Sequence, residues 1–134
     1  MKPDFSGTWI LNTGASEFGF LKPPARREDV VVHQEPSLQV TTLQKDTNGD
    51  NMVTRAVTIG GGDVTIDVLG RPRQLSGFWD GDDLLLVTRW DVGGNPRELT
   101  DCWTLQDGGA RLVIQRTQAM NGGPVRQRLV MQRT

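Results

Sequence analysis

The stretch that decides the fold is residues 73–118, RQLSGFWDGDDLLLVTRWDVGGNPRELTDCWTLQDGGARLVIQRTQ. Runs rich in Val, Leu, Ile and Thr alternate here with the turn sequences Asp80-Gly81-Asp82, Gly93-Gly94-Asn95-Pro96 and Asp107-Gly108-Gly109. None of the runs carries a helical period, and turn residues of this kind join antiparallel strands. The stretch therefore predicts a meander of β-hairpins.

The same rhythm continues toward both ends of the chain. Further turn signals stand at Glu35-Pro36-Ser37, Asn48-Gly49, Gly60-Gly61-Gly62, Gly70-Arg71-Pro72 and Asn121-Gly122-Gly123. Their spacing of about 9 to 14 residues corresponds to roughly ten strands. Closing such a sheet on itself removes its two exposed edges. We therefore predict an all-β fold, an up-and-down antiparallel β-barrel of about 8 to 10 strands, in a single domain over residues 1–134.

The amino-acid composition excludes several classes of function. The chain has 134 residues, of which 36% are hydrophobic and 23% charged, with a net charge of -1. Its longest apolar run, Leu84 to Val87, is far too short to cross a bilayer, and the balanced charge offers no field for nucleic acid. Cys102 and His33 are the only residues of their types, which removes disulfides and cysteine-rich zinc sites. We expect no cofactor, no metal, no nucleic-acid partner and no membrane insertion.

Hairpin pairing predicts which side chains share the interior, because residues that face one another point to the same side of a sheet. One such row contains Trp79, Leu84, Trp103 and Ile114. The end near turns 36, 61, 81 and 108 would be filled by large apolar side chains, namely Trp9, Ile59, Val64, Trp79, Leu84, Trp103, Leu105 and Leu112. Toward the other end the inward positions become Arg55, Arg73, Trp90, Arg97, Gln118 and Met120. The prediction is a barrel plugged at one end and open at the other.

Between the two ends, Leu99 would face Gln118 and Asp101 would face Arg116. Gly77 lies in the row of Asp101 and predicts a gap where no side chain fills the interior. The segment 14–27 then leaves the first strand at the open end, carrying Phe18 and Phe20 ahead of two prolines. It is too long for a tight hairpin and too poor in helical signals for a full helix. We expect a short lid with one helical turn at residues 16–18.

The start Phe5-Ser6-Gly7-Thr8-Trp9 resembles the Gly-x-Trp signature of the calycins, which include the lipocalins and the fatty-acid-binding proteins. In that group the Trp lies across the closed end and an Arg of the last strand stacks on it, a role that the resemblance implies for Arg133. The whole-chain pattern, with Trp79-Asp80-Gly81-Asp82 and Trp103-Thr104-Leu105, is similar to small bacterial lipocalin-like proteins of unassigned role. The chain departs from the fatty-acid-binding proteins in having no tyrosine and no room for two helices after the first strand.

The predicted function is the binding of a small hydrophobic ligand inside the barrel, without chemical change. One form of this prediction gives the ligand an anionic group. The candidate ligand-binding residues are Phe18, Phe20, Arg55, Arg73, Trp90, Leu99, Asp101, Arg116, Gln118 and Met120. Guanidinium groups offer a planar fork of donors to a carboxylate, and Trp and Met suit an apolar ligand. Each also has a plain structural interpretation: an internal ion pair, solvated arginines at the rim, or aromatic side chains that close the lumen.

Two further interpretations stay open. A small enzyme would use His33 or Asp101 to move a proton and Arg116 to hold an anion, and a haem-binding barrel would use His33 as the iron ligand. A lone histidine on a strand is more often structural or exposed. No signal peptide is visible, yet Met1-Lys2-Pro3-Asp4 could also begin a mature exported chain, so a soluble protein of either cytoplasm or exterior is expected. Apolar residues on the outer face suggest a monomer or a weak homodimer.

Overall fold

The computed structural model describes residues 2–19, 21–47, 49–120 and 123–134. Its strands are β1 (Gly7–Leu11), β2 (Arg26–Gln34), β3 (Ser37–Asp46), β4 (Gly49–Thr58), β5 (Val64–Val68), β6 (Arg71–Asp80), β7 (Asp83–Val92), β8 (Asn95–Gln106), β9 (Arg111–Met120) and β10 (Gly123–Arg133). Short 3-10 turns lie at Thr13–Ala15 and Asp107–Gly109. None of the helical segments in these ranges is long and apolar enough to cross a membrane.

The strands form one antiparallel sheet in the order β4–β3–β2–β1–β10–β9–β8–β7–β6–β5. Because β1 pairs with β10, the sheet curls into a nearly closed barrel, as predicted. Within the described ranges no ladder joins the outer strands β4 and β5. Instead the amide of Gly60, just after β4, donates to the carbonyl of Gly77 on β6 at 2.7 Å.

The predicted register is confirmed along β6 to β9. Trp79 pairs with Leu84, Leu84 with Trp103, and Trp103 with Ile114. The row above it contains Asp101 opposite Arg116, and the next contains Leu99 opposite Gln118. The predicted and observed registers agree because the turns are short. A turn of known length allows each hairpin only one register in which its apolar side chains point inward.

The plugged end is confirmed and is tighter than predicted. Trp9, Leu84, Trp103 and Leu112 are completely buried, while Trp79 is half-buried against them. Phe5 was missed by the sequence analysis, yet it too is completely buried. Its ring lies 5.6 Å from that of Trp103 and 6.1 Å from that of Trp79. The segment ahead of β1 therefore supplies part of the plug.

Arg133 stacks on Trp9 as the calycin resemblance implied, with its guanidinium carbon 4.3 Å from the centre of the ring. The same guanidinium donates to the carbonyl oxygens of Ser6 and Gly109. Gly7 has a φ of 142°, and a Cβ at this position would collide with the Arg133 guanidinium. The glycine of the Gly-x-Trp motif is thus required by the stacked arginine as well as by the backbone.

Two local predictions are wrong. The predicted gap at Gly77 does not exist, because Leu86 and Val57 fill the space beside it; a Cβ there would lie 3.2 Å from Leu86 Cδ2. The helical turn lies at Thr13–Ala15 and not at residues 16–18, because Asn12 caps it by accepting from the Ala15 amide at 3.1 Å.

The segment after β1 follows the wall of the barrel before it reaches the open end. Glu17 pairs with Arg128 of β10 through two backbone hydrogen bonds of 2.8 Å, and the Ser16 hydroxyl accepts from the Val130 amide at 2.9 Å. Farther on, just before β2 begins, the Ala25 amide donates to the carbonyl of Lys45 on β3. The predicted lid is therefore anchored to β10 on one side and to β3 on the other.

Candidate functional site

A cavity of about 210 Å³ lies above the plug, toward the open end of the barrel. Its lining combines basic, polar and apolar side chains: Arg27, Thr42, Gln44, Val53, Arg55, Ile66, Val68, Arg73, Thr88, Leu99 and Arg116. Larger hollows of about 450, 370 and 420 Å³ are lined mostly by exposed side chains, and the first of them shares Gln44 with the interior cavity. The interior cavity is therefore the candidate site, since it alone among these spaces joins buried charge to an apolar wall.

The first charged pair of the cavity joins β8 to β9. Arg116 Nε donates to Asp101 Oδ1 at 2.8 Å, and Arg116 Nη2 donates to Asp101 Oδ2 at 3.0 Å. Asp101 is completely buried. Burial by itself would raise the pKa of Asp101, but the charge and the hydrogen bonds of Arg116 outweigh it and hold that pKa below its usual range. Asp101 is thus a carboxylate whose two oxygens are already bound.

The second pair lies on one face of β2, where residues two apart point to the same side. Arg27 Nε lies 3.2 Å from Asp29 Oδ1, and Arg27 Nη2 lies 3.0 Å from Asp29 Oδ2. Both side chains are buried. Burial again opposes the charge of Asp29, while the charge and hydrogen bonds of Arg27 lower its pKa. The barrel therefore contains two bidentate Arg-Asp pairs, one on β2 and one joining β8 to β9.

Arg55 on β4 is influenced by the charges of both pairs and belongs to neither. Among the described residues it makes no hydrogen bond and no ion pair, although the charges of Asp101 and Asp29 act on it. Burial lowers the pKa of Arg55, and the two carboxylates act in the opposite direction. A guanidinium stays protonated in proteins, so Arg55 adds an unmatched positive charge to the wall. The group of Arg27, Arg55 and Arg116 with Asp29 and Asp101 carries a net charge of about +1 at neutral pH.

Arg73 and Trp90 form the rim. The Arg73 guanidinium carbon lies 4.1 Å from the centre of the Trp90 ring, and Arg73 Nε is buried without a hydrogen-bond partner among the described residues. Burial, followed by the charge of Arg71, lowers the pKa of Arg73. The prediction that Arg55, Arg73 and Arg97 together ring the mouth is wrong for Arg55, because its place in the middle of β4 puts it well below the rim.

The structure brings together part of the predicted site. Arg55, Arg73, Leu99 and Arg116 line the cavity, with Asp101 directly behind Arg116 and Trp90 against Arg73. Gln118 is half-buried opposite Leu99. Phe18 packs on the core beside β10, and its carbonyl accepts from Gln127 Nε2 at 3.2 Å. Phe20 and the side chain of Met120 lie outside the described residues.

The sequence analysis missed Arg27 and Asp29 on β2. A signal for them was present in the alternation of side chains along the strand, counted back from the inward-facing, apolar Val31. Extending the same alternation by two and four positions brings Asp29 and Arg27 inward. They were overlooked because charged residues are rarely buried, and an arginine near a strand end is usually exposed.

His33 lies in the plugged end, away from the charged pairs. Its Nδ1 lies 3.1 Å from the Phe5 amide nitrogen, which donates to it, and its Nε2 lies 2.9 Å from Glu35 Oε2. Glu35 also accepts from Trp79 Nε1 at 3.0 Å. His33 therefore holds the segment of Phe5 in place. Neither Asp101 nor Arg116 is among its contacts, and it does not line the cavity.

The two buried carboxylates predict that the free energy of unfolding falls as the pH is lowered. Because the pKa values of Asp29 and Asp101 are lowered in the folded barrel, the unfolded chain binds more protons than the folded one at low pH. Their contribution to the free energy of unfolding is complete above about pH 4 and is lost as the pH falls through the folded-state values. Urea titrations from about pH 7 down to about pH 3 measure it.

The exposed carboxylates Asp4 and Glu35 also have lowered pKa values and act in the same direction. The control is therefore the double variant Asp101→Leu/Arg116→Met, which removes the contribution of Asp101. Its free energy of unfolding should fall less steeply with acid than that of the unaltered protein. Equal slopes for the two proteins would contradict the assignment.

Comparisons with known proteins support the fold. No protein-family model matches the chain, and no curated protein matches it. Solved structures do: secretory abundant heat soluble protein 4 from Ramazzottius varieornatus has a TM-score of 0.71 at 14% identity, covering 100% of this chain and 98% of that chain. Zebrafish ileal bile acid-binding protein complexed with cholic acid has a TM-score of 0.67 at 14% identity, covering 97% and 98%. The REP1-NXSQ fatty acid transporter has a TM-score of 0.64 at 17% identity, covering 98% of both chains.

Identities this low establish the fold alone. The chain has the calycin-like barrel fold that Gly7-Thr8-Trp9 and Arg133 implied, over nearly its whole length.

Proposed function

We propose that this chain binds a small hydrophobic molecule with an acidic group inside the barrel and does not change it chemically. The observation that carries the proposal is Arg55, a guanidinium that faces the cavity with no hydrogen-bond partner or ion pair among the described residues. Burying a charge costs free energy unless it is paired and hydrogen-bonded. A carboxylate on a bound molecule would supply both.

The two neighbouring pairs favour binding of an anion at Arg55. Arg27 and Arg116 each commit Nε and Nη2 to an aspartate, which leaves Nη1 of both residues without a protein acceptor among the described residues. Asp29 and Asp101 hold these two guanidinium groups in fixed orientations. Such preorganisation lowers the entropic cost of binding.

The remaining wall suits an apolar body. Val53, Ile66, Val68 and Leu99 line the cavity, and burying a methylene group against such side chains contributes about 0.8 kcal/mol. The volume of about 210 Å³ is below the ~300 Å³ at which ligand pockets usually begin. We therefore infer a compact acid or one of moderate chain length. Two of the structural neighbours are named for acids with an apolar body: one is complexed with cholic acid and the other is a fatty acid transporter.

Arg55→Gln should weaken the binding of decanoic acid by about 10- to 100-fold, since a hydrogen bond to a charged group contributes about 1.5 to 3 kcal/mol. Titration followed by tryptophan fluorescence reports on the cavity because Trp90 lies at its rim. Isothermal calorimetry gives the dissociation constant independently.

The matched control is Arg126→Gln. Arg126 is also an arginine of a barrel strand, but it is exposed beside the inward-facing Val125. This variant should bind decanoic acid as the unaltered protein does. The proposal fails if the unaltered protein gives no saturable response to any short or medium-chain acid, or if Arg55→Gln binds as tightly as the control.

Catalysis and haem ligation through His33 receive less support from the geometry. Both ring nitrogens of His33 already have partners in the plug. Asp101 is held by Arg116 with a lowered pKa, which makes it a weak base. Neither residue is placed to move a proton in the cavity.

A further inference from the structure

The cavity presents a second unmatched cation at its rim, apart from Arg55. We propose that the ligand carries two anionic groups at opposite ends of an apolar body, one bound at Arg55 and the other at Arg73, as an α,ω-dicarboxylic acid does. This inference rests on the proposed function, because it assumes that Arg55 binds an acid.

The charge balance of the lumen supports two anions. Four arginines line the cavity, Arg27, Arg55, Arg73 and Arg116, and two carboxylates, Asp29 and Asp101, are paired with the first and the last of them. The residual charge is therefore about +2 at neutral pH. None of the residues outside the described ranges has a charged side chain, so they cannot alter this balance.

The two residual charges lie in separate places. Arg55 is influenced by Asp101, Asp29, Arg27 and Arg116, whereas the charge that acts on Arg73 is that of Arg71. The deep group around Arg55 has a net charge of about +1 and is balanced by one anionic group. A single head group with two charges would over-neutralise the deep group and leave Arg73 unmatched.

Arg73 is prepared for an acceptor. Stacking on Trp90 uses the face of the guanidinium, and the N–H groups at its edge remain available. Its Nε is buried without a hydrogen-bond partner among the described residues. A buried donor without an acceptor costs free energy, and an acceptor on a ligand would remove that cost. Arg71 adds positive charge at the same edge of the barrel.

Strand positions give the separation of the two anions. Arg55 stands six residues after the turn glycine Gly49, and Arg73 stands three residues after the turn glycine Gly70, both turns being at the open end. A rise of about 3.3 Å per residue places Arg73 roughly 10 Å nearer the rim along the strands. The apolar side chains of Val53, Ile66 and Leu99 line the same cavity, with Ile66 directly opposite Arg73 in the sheet. An extended dicarboxylic acid of medium length spans this distance.

The test compares acids of equal length. Dissociation constants are measured by calorimetry for octanoic and octanedioic acid, decanoic and decanedioic acid, and octyl phosphate as the single-headed dianion. At the best length the diacid should bind at least about tenfold more tightly than the monoacid, as expected for one added charge-assisted hydrogen-bond pair. Octyl phosphate should not exceed the diacid.

Variants of Arg73 assign the second group. In Arg73→Gln the preference for the diacid should fall to about one, because the diacid should lose much more affinity than the monoacid. Arg73→Lys should keep a preference because it keeps the charge. Arg126→Gln, on the outer wall, should leave all ratios unchanged. The thermal melt and the near-ultraviolet circular dichroism of each variant report whether its barrel is intact.

The outcomes separate the two proposals. Monoacids that bind through Arg55 with no advantage for the diacid would overturn the second anionic position and leave the proposed function standing. A preference that persists in a folded Arg73→Gln, or tighter binding of octyl phosphate, would also overturn it. If no acid binds at all, both proposals fall.

Discussion

Asp101→Asn should lower the free energy of unfolding by about 3 to 5 kcal/mol, the cost of removing one partner from a buried ion pair. Arg116 would remain protonated, would lose one of its two bonds to carboxylate oxygen, and would lie in a barrel that already contains the unmatched Arg55. Urea unfolding at neutral pH, followed by tryptophan fluorescence, measures the change.

Two controls separate the buried pair from the general effect of altering a strand. Glu98→Gln breaks the exposed pair of Arg89 and Glu98 between β7 and β8, whose nitrogen and oxygen are 3.4 Å apart, and it should cost less than about 1 kcal/mol. The double variant Asp101→Leu/Arg116→Met replaces the buried pair by apolar side chains and should recover most of the loss. An Asp101→Asn protein no less stable than Glu98→Gln would contradict the role assigned to the pair.

Phe5→Ala should be similarly costly, at about 3 to 5 kcal/mol, because it empties a completely buried aromatic position. Phe5 contacts the rings of His33, Trp79 and Trp103. Its carbonyl also accepts from Trp9 Nε1 at 3.0 Å, which links it to the residue that closes the barrel. Loss of the ring should change the near-ultraviolet circular dichroism of the tryptophans as well as the urea midpoint.

Phe78→Ala is the matched control, since Phe78 is 43% exposed on the outer face of β6. Its loss should cost well under half as much as the loss of Phe5. Equal effects of the two substitutions would mean that the segment ahead of β1 does not plug the barrel.

Turn lengths and the alternation of side chains were sufficient to predict the barrel and its register. The turns at residues 81, 94 and 108 have lengths that leave each hairpin one pairing with its apolar side chains on a single face, so Trp79, Leu84 and Trp103 could be placed in one row from the chain alone. The same row led to Asp101 opposite Arg116. Predictions of this kind need only neighbours along the chain and the two faces of a strand.

Features formed by distant segments were not predictable in this way. Phe5 precedes the first strand, and only the curvature of the whole sheet brings it against His33 and Trp103. The space beside Gly77 depends on how far Leu86 and Val57 reach across the lumen. Alternation assigns a face to each side chain, but it gives no distance between opposite walls.

The amino-acid sequence by itself determined a closed meander with an indole at its sealed end, since hairpin turns, alternation and the Gly7-Thr8-Trp9 start act through residues close together in the chain. The register also placed Asp101 opposite Arg116, but only the tertiary structure showed that Arg55 stays unmatched. Arg27 pairs with Asp29 on its own strand and Arg116 pairs with Asp101 on the neighbouring strand, while Arg55 on β4 has no hydrogen-bond or ion-pair partner among the described residues. Ion pairing in an interior depends on distances across the barrel, and closure of the sheet sets those distances.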